Sequence, residues 1–358
     1  MLQLRKYQLE LVRRVDQEFS TGNHHLCVQL ATGGGKTVVA AELVRRLSSR
    51  RVLYVVPSRE IFAQTEEKLE RAGILATMLS AGSRPDMRRA RCVLAMSQTL
   101  SRRLQDGFFD SWRPDLLIVD EAHRLLDQHI AVMQSFRCPS IALTATPVRL
   151  DGRSLGEIWP TLITGPQIQD LIIHDAVVPT RTLSIPLADV RRVRKRHGDY
   201  EAASLAKAFE NSRAADLAAI LFRRYGERRP AVGFCPSVKV SETLVNALNT
   251  FGIRAVHVDS DSKPEERAEA LAKLARNEID FLSNCGLFVE GLDVPCVSCV
   301  VVCTSTLSLS KWLQMCGRGS RPSPGKRDLL VIDHGGCASA LGLPDADRDW
   351  YFGGRPDV

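Results

Sequence analysis

Long apolar runs are missing from this sequence. None approaches the roughly 18 residues a membrane span requires, so no membrane partner is expected. The opening Met1-Leu-Gln-Leu-Arg-Lys lacks the apolar stretch of a secretory signal, and a cytoplasmic location is the expectation. No segment has a low-complexity or disorder-type composition. The ten cysteines are scattered through a chain too long to need disulfide staples, so reduced thiols are expected. Lysine is scarce: ten of the 48 basic residues are Lys and the other 38 are Arg. Arginine suits phosphate recognition, although a GC-rich genome gives the same bias. Basic residues outnumber the 41 acidic ones by seven, which leans toward a polyanionic partner.

The chain has 358 residues, enough for about two domains. Short apolar runs alternate with helical-period stretches, the pattern of parallel sheets with crossover helices. In the first half the runs at 26–30, 52–56, 92–95, 116–119 and 140–143 read as strands, with helices near 37–47 and 61–71. Gly73 is placed to end the second helix. Alternation weakens from Asp151 to about Arg229, where the basic run Arg191-Arg-Val-Arg-Lys-Arg196-His197 lies. It resumes with strands near 231–234, 255–258, 280–283, 297–302 and 329–332, and helices near 238–249, 264–276 and 308–316. Ser262-Lys-Pro-Glu265 reads as a capping box. The expected organisation is an α/β domain over 1–175, a linker with a basic loop over 176–229, and a second α/β domain over 230–358.

The strongest local signal is Leu30-Ala-Thr32-Gly33-Gly34-Gly35-Lys36-Thr37, between an apolar strand and a helical pattern. That is the context of a P-loop. Its glycines let backbone N–H groups face phosphate oxygens, and the helix N-terminus adds partial positive charge. Lys36 would reach the β- and γ-phosphates and the Thr37 hydroxyl would hold Mg²⁺. Leu30 stands where such loops usually begin with Gly. Further on, four apolar residues end in Asp120-Glu121-Ala122-His123. In a P-loop ATPase the first acid holds Mg²⁺ and its neighbour can activate the attacking water, which gives Asp120 and Glu121 those roles.

These residues resemble the superfamily 2 DNA and RNA helicases and translocases. The other motifs of that family stand in order: Arg5-Lys-Tyr7-Gln8, Val56-Pro57-Ser58-Arg59-Glu60, Met96-Ser97-Gln98-Thr99-Leu100, Leu143-Thr144-Ala145-Thr146-Pro147, Val232-Gly-Phe234-Cys235, Glu290-Gly291-Leu292-Asp293, and Gln314-Met-Cys-Gly317-Arg318-Gly-Ser-Arg321. Pro322, then Gly325-Lys326, and the tail Val331-Ile-Asp333-His334-Gly335 look RadD-like and similar to the motors of type I and type III restriction enzymes. The resemblance implies two tandem RecA-like domains, each a mostly parallel sheet flanked by helices, with ATP between them. Arg318 and Arg321 would then supply positive charge to the γ-phosphate, a contribution on the order of 10³–10⁵ in rate. Gln314 would orient the attacking water. Arg5 and Gln8 would read the adenine edge, and Gly291 and Asp293 would face the nucleotide. Two departures stand out: Val289 replaces a hydroxyl residue, and Thr304-Ser305-Thr306 lacks an arginine common in relatives.

The same resemblance implies strand contacts by Ser58, Arg59, Ser97, Gln98, Thr99, Asn284 and Thr306, directed at the backbone and not at base sequence. Trp312 and Phe288 could stack on bases, but core packing is the simpler expectation. Cys296, Cys299 and Cys303 have a metal-like spacing. Strand alternation would send Cys296 to one face and the other two to the opposite one, so no zinc is expected. The expected activity is ATP-dependent unwinding of, or translocation on, nucleic acid, with ATP and Mg²⁺ as cofactors and DNA favoured over RNA. The alternatives are an RNA remodeller, or an ATP-dependent clamp or motor subunit for a partner nuclease. No nuclease motif is evident, so cleavage would need a partner protein. A monomer is expected.

Overall fold

A computed structural model of the chain describes residues 3–47, 50–125, 127–149, 153–196, 198–287 and 294–352. The chain divides into two compact units. Among the described residues, the first holds those up to Gln167 together with 348–352, and the second holds those from 168 to 347.

In the first unit the elements are α1 (Lys6–Ser20), β1 (His25–Gln29), α2 (Lys36–Arg46), β2 (Val52–Val56), α3 (Arg59–Arg71), β3 (Ala76–Leu79), β4 (Cys92–Met96), α4 (Ser97–Gln105), β5 (Leu116–Val119), α5 (Asp127–Gln134), β6 (Ser140–Thr144) and β7 (Thr161–Thr164). Its seven-stranded sheet has the order β3-β4-β2-β5-β6-β1-β7, and every pairing is parallel. Helices cover both faces, which is why these strands read as unbroken apolar runs. Alternate residues enter different cores: Val52, Tyr54 and Val56 face one, Leu53 and Val55 the other. Because all strands run the same way, their C-terminal ends share one edge. The loops after β1, β2, β4, β5 and β6 therefore converge there, and each carries a motif.

Residues 168–347 form α6 (Ile168–Ile173), β8 (Thr180–Ser184), β9 (Lys195–Arg196), β10 (Asp199–Tyr200), α7 (Ala202–Asn211), α8 (Ala214–Tyr225), β11 (Ala231–Cys235), α9 (Val238–Thr250), β12 (Ala255–Val258), α10 (Pro264–Ala275), β13 (Phe281–Cys285), β14 (Cys299–Val302), α11 (Leu309–Gly317), β15 (Leu329–Asp333) and α12 (Cys337–Leu341). The six-stranded sheet β12-β13-β11-β14-β15-β8 is again wholly parallel, while β9 and β10 form a separate antiparallel hairpin.

Three expectations are corrected. Residues 176–229 are not a linker: β8 pairs with β15, and Phe209, Ala218 and Phe222 of α7 and α8 are buried in a core of the second unit. The chain from Arg348 does not stay with the second unit but belongs to the first, where the Arg348 N–H and carbonyl bond the Gln167 amide. The capping box before α10 is shifted by one residue. Ser262 is committed to Asp259, accepting from its N–H and donating to its carboxylate, so Lys263 becomes the N-cap and its N–H donates to Glu266 Oε2. Gly73 ends α3 as expected: at φ +75° its N–H bonds Glu70, and Ile74 N–H reaches back to Leu69.

Candidate active site

The loop after β1 is shaped by glycine. Gly33 and Gly35 lie at φ +89° and +88°, which other residues adopt only at a cost. A Cβ on Gly35 would stand 2.4 Å from Gln8 Nε2. Gln8 is buried on α1. Its amide donates to the Gly34 carbonyl at 3.1 Å and accepts from Arg5 N–H at 2.9 Å, and the Tyr7 hydroxyl reaches the same Gly34 carbonyl at 2.9 Å. Each end of the Gln8 amide thus makes one bond, to the loop and to the helix cap, which leaves one N–H and one lone pair for a further partner. Arg5 is exposed, and Thr32, Lys36 and Thr37 are half-buried where α2 begins.

Lys36 points toward the acids after β5. Its Nζ lies 3.5 Å from Glu121 Oε1 and 3.5 Å from the Leu30 carbonyl. Asp120 is buried, with Oδ1 accepting from Glu121 N–H at 2.9 Å and Oδ2 from the Tyr54 hydroxyl at 3.1 Å. Burial, then the neighbouring Glu121 charge, push the Asp120 carboxyl up to about 6, against the opposing pull of Lys36 and Tyr54. Glu121 sits in the left-handed region at φ 47°, a conformation that costs a side-chain-bearing residue and recurs at functional sites. Two close carboxylates facing a lysine beside a phosphate-shaped loop are a donor set that suits Mg²⁺ and a nucleotide.

A hydrogen-bond relay joins these acids to the end of β6. The Thr144 hydroxyl donates to the Thr146 carbonyl at 2.7 Å, so its lone pairs accept from Thr146 N–H and from His123 Nδ1 at 2.9 Å. That fixes the Nδ1–H tautomer of His123, whose Nδ1 is also 3.5 Å from Glu121 Oε2. Burial first of all holds the His123 imidazole down at about 4, so it is neutral at pH 7.

In the second unit α11 starts at Ser308, whose hydroxyl caps Lys311 N–H, and ends at Arg318. Gln314 and Arg318 are buried, and burial holds the Arg321 guanidinium below its usual value. Lys326 fixes the turn that follows. Its ammonium has three protons, and it donates them to the carbonyls of Arg321 at 2.8 Å, Val297 at 2.5 Å and Pro295 at 3.2 Å. Gly291 and Asp293 lie outside the described residues.

Residues 1–149 match the family described as type III restriction enzyme, res subunit, and residues 212–323 match the helicase conserved C-terminal domain. Together the two matches support a superfamily 2 helicase core of the restriction-enzyme type. It is 28% identical to IRC3 of Saccharomyces cerevisiae, which bears the name of a candidate ATP-dependent helicase, over 96% of this chain and 53% of that one. The helicase core thus spans about half the length of that relative. By fold it is similar to a fragment of a candidate HsdR subunit of a type I restriction enzyme from Vibrio vulnificus (TM-score 0.75, 21% identity, 95% of this chain and 66% of that one). It is similar too to the ATP-dependent type ISP restriction-modification enzyme LlaBIII bound to DNA (TM-score 0.67, 15% identity, 92% of this chain and 28% of that one).

The expected strand-contacting residues of this helicase core divide into two groups. Arg59 and Gln98 are exposed beyond β2 and β4, and Ser58 beside them caps α3 by accepting from Ile61 N–H. Ser97 and Thr99 are buried in the first turn of α4. Asn284 and Thr306 depart from expectation. Asn284 is fully buried on β13 and donates to the Gly233 carbonyl, while the buried Thr306 hydroxyl donates to Asp199. Trp312 is core, its indole N–H on the Gly342 carbonyl. Cys299 and Cys303 share one core and Cys296 packs against the other. Among the described residues no three His, Cys, Asp or Glu side chains could hold a metal, and no helix is long and apolar enough to cross a membrane. Sequence reading missed Tyr54. The available signal was a phenol in a fully buried strand, whose hydroxyl needs a partner.

Proposed function

We propose that this chain hydrolyses ATP to drive movement along, or unwinding of, nucleic acid, with DNA as the preferred substrate. The observation that carries the reading is the set formed by Lys36, Asp120 and Glu121 at the shared strand edge, with Lys36 3.5 Å from Glu121 and Asp120 buried beside them. In this reading the N–H groups of residues 33–37 and the Lys36 ammonium hold the phosphates. Thr37 and Asp120 would hold Mg²⁺, which neutralises charge on the phosphate oxygens when bound. Glu121 takes the proton of the attacking water. Its side chain is kept in place by Lys36 on one side and His123 on the other. By the family resemblance Arg318 and Arg321 supply positive charge to the γ-phosphate and Gln314 orients the attacking water, so turnover depends on the second unit as well. The exposed Arg59 and Gln98 are the best-placed contacts of the first unit for a phosphate backbone. A lean toward DNA is supported by the restriction-enzyme likeness and by the DNA held by the LlaBIII enzyme.

The test is ATP turnover measured in parallel with single-stranded DNA, duplex DNA and RNA. DNA is expected to raise turnover and RNA to do less. Stimulation by RNA alone would make the protein an RNA remodeller, and no stimulation by any polynucleotide would remove the motor reading. Lys36→Ala should abolish ATP use. Arg321→Ala should lower turnover by on the order of 10³-fold while sparing nucleotide binding.

A further inference from the structure

A basic run at 191–196 lies outside the candidate active site. It is built as a plug and a comb. Val193 is buried in a core of the second unit, while Arg191, Arg192, Arg194, Lys195 and Arg196 are all exposed around it. Two of these cations are neutralised locally: Arg191 pairs with Asp189 at 2.8 Å and Arg194 with Glu201 at 2.7 Å. Lys195 and Arg196 form no ion pair among the described residues, and Arg192 lies only within electrostatic reach of Asp189, which Arg191 already engages. Such a group of cations within five residues attracts a polyanion, and a fixed support lowers the cost of holding them against it.

Asp199 supplies that support. It sits on β10, directly across the ladder from Arg196. One carboxylate oxygen accepts from Tyr200 N–H at 2.9 Å and from Leu307 N–H at 2.8 Å. The other accepts from the Thr306 hydroxyl at 2.9 Å and from Lys311 Nζ at 2.8 Å. Thr306 in turn accepts from Ser308 N–H, and Ser308 caps α11, the helix that carries Gln314 and ends at Arg318. The hairpin is thus bonded through one carboxylate to the first turn of the helix that bears the candidate catalytic arginine.

We propose that the β9–β10 hairpin grips the phosphodiester backbone of the nucleic-acid track through Arg192, Lys195 and Arg196, and that Asp199 transmits this occupancy to α11. The inference deepens the motor reading and rests on it. Backbone contact of this kind carries no base preference and releases counterions, so its signature is salt dependence.

The test is fluorescence anisotropy of the full chain with labelled oligo-dT and with a labelled duplex, from 50 to 200 mM NaCl. The triple variant Arg192→Ala/Lys195→Ala/Arg196→Ala should flatten the slope of log affinity against log salt by about 2–3, at roughly 0.7–0.9 for each of the phosphates lost. Arg192→Gln alone should flatten it by a little under ~1, which keeps the proposal testable if the triple variant is poorly folded. Arg192→Lys/Arg196→Lys should keep the slope. Asp199→Asn retains the three cations and should keep the slope while reducing severalfold the stimulation of ATP turnover by polynucleotide. A wild-type slope in the triple alanine variant or in Arg192→Gln would overturn the grip, and wild-type stimulation in Asp199→Asn would overturn the transmission. A wild type that binds no polynucleotide would overturn the motor reading itself, which separates the two failures.

Discussion

At the scale of single residues, Tyr54 and His123 set the state of the acids after β5. The Tyr54 hydroxyl donates to Asp120 Oδ2 and so orients that carboxylate and favours its ionised form. Tyr54→Phe removes the donor and keeps the ring, so packing changes little. Outer-shell partners of this kind are worth 10–100-fold in metal affinity, and we expect the Mg²⁺ needed for half-maximal binding of a fluorescent ATP analogue to rise by about tenfold. An unchanged Mg²⁺ titration would show that Tyr54 only fills space. His123 makes a prediction in pH. Its folded value, about 4, lies below the ordinary 6.5 because burial disfavours the charged ring. The unfolded chain therefore binds the extra proton more readily between 4 and 6.5. Stability from the neutral ring is fully present above 6.5 and is lost as pH falls toward 4. Asp120, raised to about 6 by burial and by Glu121, works in the opposite sense below that pH. Comparison with His123→Asn, which keeps a donor near the Nδ1 position, isolates the histidine. Urea unfolding should show the wild type losing about 2 kcal/mol relative to the variant between pH 7 and pH 5. A difference that does not change with pH would mean the imidazole is protonated equally in both states.

At the scale of elements, parallel strands ending in polar motifs were legible because a strand buried on both faces must be apolar throughout and can turn polar only at its end. The P-loop, the acids after β5 and the serine caps of α3, α9 and α11 are all local devices, readable from a few adjacent residues. The contacts that are not local were not legible. The stitch from Gln8 to a loop 26 residues away is one of them. Asn284 and Thr306 have the polarity of strand-contacting residues, yet their partners Gly233 and Asp199 come from other elements that turn them inward. The Gln8–Gly34 stitch makes its own prediction. Gly35→Ala places a Cβ 2.4 Å from Gln8 Nε2 and puts a side chain at φ +88°. The backbone alone costs about 1–2 kcal/mol. Relief of the clash must move either the α1 amide or the loop. We expect loss of ATP binding by at least tenfold in equilibrium titration, with the melting temperature lowered by only a few degrees, since the effect is confined to one loop. Intact nucleotide binding in Gly35→Ala would mean that the loop takes its shape without Gln8.

At the scale of the whole molecule, the weakly patterned middle of the sequence concealed an edge strand and two covering helices. β8 is only partly buried, so its residues Thr180-Arg-Thr-Leu-Ser184 carry no apolar run to announce a strand. It is recruited by the far end of the chain. All five of its residues pair with 329–333, Ser184 Oγ donates to Asp333, and Ile185 N–H donates to the Asp333 carbonyl. α7 and α8 then bury Phe209 and Phe222 against the core that also holds Phe281 and Leu330. A second domain starting at residue 230 would lack all of this. The two phenylalanines alone are worth about 5 kcal/mol of apolar burial, against the 5–15 kcal/mol that stabilises a typical domain. A fragment of residues 168–347 is therefore expected to unfold cooperatively in urea. A fragment of residues 230–347, with β15 left as an uncovered edge and one sheet face covered by α9 alone, is expected to show no cooperative transition and to bind a hydrophobic dye. Cooperative unfolding of the shorter fragment at an equal midpoint would mean that residues 168–229 are a passenger on a domain complete without them.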